Sequence, residues 1–208
     1  MPAVYGSCDT PVIAPVCNAC GEDNENAGVR GAAFIHASVI AQIKANPNDS
    51  VLWNTLITSG KIFVLPDLRG TYNSAPNYVA GFGNKSQYLS NFTHTVEFDD
   101  VNYKNNCGFY NSIMNSDKYY FAFRSGSTIR ISDVPVEVVS SSPIVDDVNA
   151  LVTWHAIVTW NSRFVPCPTE TPEGVFICTE GANSTLFPID TGDGSYLEAG
   201  NGEVIEYA

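Results

Sequence analysis

The chain is short of charge, and shorter still of positive charge. Asp, Glu, Lys and Arg make up 15% of its 208 residues, against roughly 25% in ordinary soluble domains. Ten are basic and 22 acidic, which leaves a net charge of −12. A surface that grips phosphates needs clustered cations, so stable nucleic-acid binding is disfavoured. An acidic wall past which DNA slides without sticking is still compatible with this balance. No apolar run reaches the roughly 18 residues of a membrane-spanning helix. The opening stretch MPAVYGSCDT lacks a basic region followed by an apolar one. No signal peptide is therefore expected, and the reading is of a protein made in a reducing cytoplasm.

Catalytic signatures are missing as well. There is no P-loop, GxGxxG or GxSxG, and the Gly81-Phe82-Gly83 stretch lacks the third glycine and the preceding strand of a nucleotide fingerprint. The three histidines, His36, His94 and His155, all fall on expected strands, where a framework or interface role is the simpler reading. Alternation puts His94 and Asp99 on opposite faces, so they do not form a metal cluster with Asp100. Acids at 22–25 and at 146–147 lack the alternating oxygen register of a calcium loop. Six cysteines are present, and Cys17 and Cys20 form a CxxC. A tetrahedral zinc site wants a second such pair, and Cys167 and Cys178 do not supply it. Free thiols are expected, with Cys17 and Cys20 as the metal candidates and no cofactor. A non-enzymatic protein follows as the expectation.

Asn, Ser, Thr, Gly and Pro fill the space left by charge, a composition of strands and turns. The stretch NALVTWHAIVTW at 149–160 is the strongest strand signal. Val152, Trp154, Ala156, Val158 and Trp160 make one apolar face, and Leu151, Thr153, His155, Ile157 and Thr159 make a mixed one. Further strands are expected at 32–36, 61–65, 92–102, 119–123, 128–132 and 134–140, with a tight turn at Ser125-Gly126 and an edge or bulge at Pro135. Short helices are expected within PNDSVLWNTLITSG at 47–60, capped by Asp49 or Ser50 and ended by Gly60, and at 104–116. Residues 66–90 show no clear period, and read as a functional loop or a long β-hairpin. The fold class is mainly β: a β-sandwich or half-barrel with one or two short flanking helices. It divides into an N-terminal arm at 1–30, a core at 31–170 with its long loop at 66–90, and an acidic extension at 171–208. Residues 179–208 hold six acids and no Lys or Arg. They could pair as short hairpins or order against a neighbour.

Taken in order, several short motifs resemble structural proteins of phages that infect Bacteroidetes, including the tail-barrel ring proteins of crAss-like phages. They are CNAC at 17–20, GVRGAAFI at 28–35, WNTLITSGK at 53–61, LRGTY at 68–72, Gly81-Phe82-Gly83, His94-Thr95, Phe109-Tyr110, YYFAF at 119–123, and Trp154 with Trp160 before Pro166-Cys167. The similarity covers roughly residues 17–167 and omits the acidic tail. It implies a tail-tube-like fold and a homo-oligomeric ring, six- or twelve-fold, in a virion tail or connector. An extended hairpin or loop would reach the neighbouring subunit, and inner strands would line a channel for DNA. Other tail and portal proteins would be its partners, with assembly in the host cytoplasm. Candidate interface residues are Arg69, Tyr72, Tyr78 and Phe82 in the long loop, and His155 on the mixed strand face. An extracellular carbohydrate- or surface-binding β-sandwich module is the alternative, prompted by ten tyrosines and eleven phenylalanines.

Overall fold

A computed structural model describes residues 28–177, apart from 82, 84, 85, 103, 104, 145 and 147–150. The expectations placed on both arms, on Cys17 and Cys20 and on Phe82 lie outside the described residues. Within them the chain builds two antiparallel sheets. One takes β1 (Gly31–His36), β2 (Ile62–Leu65), β5 (Tyr119–Ser125), β6 (Thr128–Ile131) and β9 (Thr169–Glu170) in the order β2-β1-β5-β6-β9. The other takes β3 (Arg69–Val79), β4 (Tyr88–Asp100), β7 (Glu137–Ser141) and β8 (Trp154–Ser162) in the order β3-β4-β8-β7. The mainly β reading is thus the observed class.

The two sheets face each other across one core. Phe34, Phe121 and Phe123 of the first sheet meet Val96, Phe98, Ala156, Val158 and Trp160 of the second, all buried. Each large side chain taken from water here contributes about 1.5–3 kcal/mol. Strand β8 obeys the expected alternation, burying Trp154, Ala156, Val158 and Trp160. It begins at Trp154 rather than at 149, and Leu151 lies exposed before it.

Helix α1 (Ile40–Ala45) and helix α2 (Ser50–Thr58) cover the opposite face of the five-stranded sheet. Asp49 caps α2 by accepting from the Val51 and Leu52 amides at 3.0 and 3.1 Å. Gly60, at φ +69°, supplies the left-handed residue that ends it. Trp53 and Leu56 of α2 and Ile43 of α1 pack with Ile35, Ala122 and Ile129. Helix α3 (Cys107–Ile113) closes one end of the sandwich through Tyr110 and Ile113. The described residues therefore hold three short helices where one or two were expected. Helix α1 was missed because six residues with a single buried position, Ile43, give no readable period.

Of the two readings of 66–90, a functional loop or a long β-hairpin, the structure has the hairpin. Most of it is strand: β3 pairs with β4 from Arg69↔Asp99 to Val79↔Tyr88. Its period was masked because β3 is an edge strand with one half-buried face and small or polar residues on the other. Edge position also explains how Pro76 fits within it. The core exceeds the limits of 31 and 170. Val29 is buried, and its amide donates to the Gly70 carbonyl at 2.8 Å. Val175 and Phe176 are buried against the helical layer, with the Phe176 ring tilted against Trp53 at 5.9 Å between centroids.

Candidate functional site

Three sheet faces are covered: two by each other and one by α1 and α2. The outward face of the β3-β4-β8-β7 sheet has no layer over it among the described residues, so its chemistry is open to a partner. Register assigns its cross-strand rows. Arg69, Asp99, His155 and Ser141 form one row, and Thr71, Glu97, Ile157 and Val139 the next. Asn73, Thr95, Thr159 and Glu137 follow.

His155 sits between two carboxylates. Its Nδ1 lies 3.0 Å from Asp99 Oδ1 and its Nε2 3.1 Å from Glu97 Oε1. All three side chains are a third to a half exposed, so water screens the pairs and each adds about 1 kcal/mol or less. Asp99, His155 and Ser141 occur in the spatial order of a hydrolytic triad. The geometry does not build one, because Nε2 is turned to Glu97 and not to the serine. Further along, Asn77 Nδ2 donates to Asn91 Oδ1 at 2.9 Å and to Thr93 Oγ1 at 2.8 Å, and Thr93 Oγ1 donates to Asn161 Oδ1 at 2.8 Å. This amide and hydroxyl ladder ties three strands together on the open face.

The hairpin of β3 and β4 outruns its sheet. Strand β8 ends its pairing at Phe92↔Ser162, whereas β3 and β4 continue through Asn77↔Asn91, Tyr78↔Leu89 and Val79↔Tyr88. The register slips by one residue between Asn77 and Tyr78, a bulge that sharpens the local twist. Beyond it Tyr78, Val79, Tyr88 and Leu89 are 61%, 42%, 58% and 44% exposed. A two-stranded ribbon with apolar side chains in water is marginal alone, and such patches mark contact sites.

The inward face of the same hairpin holds a buried polar pair. His94 is fully buried beneath Trp160, with ring centroids 4.9 Å apart, and its Nδ1 lies 2.9 Å from the Tyr72 hydroxyl. Burial pushes the imidazole below its ordinary pKa, against the pull of Asp133 and the Phe164 carbonyl. Burial also raises the Tyr72 phenol, which stays protonated beside the ring. At the end closed by α3, the Asp100 carboxylate accepts from Tyr110 Oη at 2.9 Å, Asn106 Nδ2 at 2.6 Å and the Asn102 amide at 2.8 Å.

No protein-family model matches the chain, and no curated protein matches it. The site rests on geometry alone. Of the five interface candidates, Arg69 and His155 are brought together on one end of the open face, where both line a shallow depression. Tyr78 stands at the far end of the hairpin, nine residues and about 30 Å of strand from Arg69. Tyr72 points the other way, into the sandwich, where it packs on Phe123 at 4.8 Å between ring centroids. Glu97, Asp99, Val79, Tyr88 and Leu89 were not singled out from the sequence. Alternation along 92–99 already put the two acids on one face, and only register shows that His155 meets them. Among the described residues no three of His, Cys, Asp and Glu are grouped to hold a metal.

Proposed function

We propose that the chain is a structural subunit that assembles with copies of itself into a ring or tube segment, as in a phage tail or connector. The observation that carries this reading is the projecting hairpin with four exposed apolar residues at its end. Ring subunits repeat one heterologous contact, in which a projection on one copy meets a different patch on the next. Permanent contacts of this kind often bury about 2,000 Å² or more, and a ribbon that reaches outward adds area without enlarging the body. The open sheet face, with Glu97, Asp99 and Glu137 among threonines and asparagines, suits a lumen that lets DNA pass without adhering. The placement in a virion, the six- or twelve-fold symmetry and the neighbouring tail proteins come from the resemblance of the motifs. A carbohydrate-binding module would use an exposed aromatic platform, and the rows of the open face hold none.

The test is native mass spectrometry and negative-stain imaging of the wild type beside Tyr78→Ser/Leu89→Ser. The wild type should form closed multimers. The variant should keep its circular dichroism and run as a monomer, because the two side chains contribute about 2–4 kcal/mol per interface. A variant that assembles normally sinks the hairpin reading, and a wild type that stays monomeric at high concentration removes self-assembly.

A further inference from the structure

The two ends of the β3-β4-β8-β7 sheet differ in kind. At one end the hairpin runs three pairs past the last β8 partner, an overhang of about 10 Å, and its tip exposes Tyr78, Val79, Tyr88 and Leu89. The other end is where β3 and β8 begin and β4 stops. There the strand ends surround a hollow of about 290 Å³. Buried Leu68 lines it together with Val101 and Leu151, which are 56% and 81% exposed. Pockets for drug-sized ligands run from about 300 to 1,000 Å³, so this hollow suits a few side chains better than such a ligand.

Charge separates the same two ends. From Gly70 to Val96 the sequence has no Asp or Glu, and Lys85 is the single Lys or Arg. Around the hollow, Asp67 and Asp99 stand against Arg69. The hairpin is thus weakly cationic and the far end weakly acidic, so a hairpin and a hollow attract while two hairpins repel.

We propose that the hairpin tip of one copy seats in the hollow of a second copy, with Tyr78 and Leu89 laid against Leu68, Val101 and Leu151. The contact rests on the ring or tube reading above and names the surface that receives the hairpin. Tyr78 and Leu89 are cross-strand partners, so they share one face of the ribbon and enter together. Their seating takes exposed apolar surface of both copies out of water at once. Each chain carries one tip and one hollow at opposite ends of the same strands. A junction therefore uses one of each and leaves one of each free, the condition for a head-to-tail contact that closes into a ring or extends as a filament. Tip-to-tip pairing would stop at a dimer, bring two cationic hairpins together and leave Val101 and Leu151 in water.

The experiment mixes two variants of the full chain and reads native mass. Tyr78→Ser/Leu89→Ser removes the tip, and Val101→Ser/Leu151→Ser removes the hollow. All four positions are exposed, so both variants should keep the wild-type circular dichroism. Each alone should run as a monomer where the wild type forms multimers. Mixed at high concentration they should give a 1:1 pair and nothing larger, since the mixture offers one intact tip for one intact hollow. Multimers or dimers of the hollow variant alone overturn the docking while leaving self-assembly standing, and a dimer is what tip-to-tip pairing would produce. A mixture that stays monomeric beside an assembled wild type also overturns it. A wild type that stays monomeric removes the self-assembly reading, and the docking with it.

Discussion

Gly70→Ala tests the packing argument most directly. Gly70 does not have positive φ, so conformational freedom is not what the position requires. Space is. A Cβ built there would sit 2.5 Å from the Glu97 carbonyl oxygen, 2.6 Å from Phe98 Cβ and 3.0 Å from Phe98 Cα. Comfortable carbon contacts are about 3.5–4.0 Å, so the overlap is about 1 Å and most of it is against backbone. Relief requires β3 to move away from β4. On its other side Gly70 holds Val29 through bonds of 2.8 and 3.1 Å, so the movement also strains the root of the N-terminal segment. Overpacking of this kind costs about 1–3 kcal/mol, and weakening two backbone hydrogen bonds adds about 1 kcal/mol each. Since β3 is an edge strand it can yield somewhat, and a total near 3 kcal/mol is expected. The assay is urea unfolding followed by tryptophan fluorescence, with the midpoint compared at equal slope. In melting temperature the same loss is about 6–12 °C for a chain of this size. Gly108→Ala is the matched control. It lies in α3 with nothing within 4 Å of a new Cβ, and should gain about 0.5–1 kcal/mol from helix propensity. A Gly70→Ala chain within about 0.5 kcal/mol of wild type would refute the reasoning.

Three further outcomes follow from the buried polar groups and the open face. His94 is held below its ordinary pKa of 6.5 in the folded chain, so the unfolded chain takes up the proton first as pH falls. Its contribution is intact above 6.5 and is lost progressively below it, so His94→Gln should flatten the acid side of the stability–pH curve in a series of urea midpoints. Tyr110→Phe removes one donor from the buried Asp100 carboxylate and should cost about 1–3 kcal/mol by chemical denaturation, without altering assembly. His155→Gln, on the exposed face, should cost less than about 2 kcal/mol, the most that two such screened pairs supply, and a larger loss would mean that its two carboxylate contacts are stronger than their exposure allows.

How far each element could be read in advance depended on how deeply its two faces differ. Strand β8 was legible because one face is wholly buried and the other is not, and the same contrast revealed β4. Helix α2 announced itself through Asp49 and Gly60, residues whose side chain or backbone has a local task. Strand β3 hid because an edge strand buries little, and without buried positions the period of two has no amplitude. Three residues from Arg69, Tyr72 lies on the opposite face of β3, a constraint that applies only on the hairpin reading of 66–90.

The contacts of the candidate site were hidden for a different reason. His155 and Asp99 are 56 residues apart, and a shift of one residue in β4–β8 register would have sent both acids to the interior. Register is fixed by the core side of those strands, by Val96, Phe98, Ala156 and Val158, and the open face inherits whatever row order the core selects. The polar surface is thus specified by apolar residues that never touch it. Charge follows another logic, since it needs no register to be counted. The separation of acidic termini from a nearly neutral body is written in the order of residues alone.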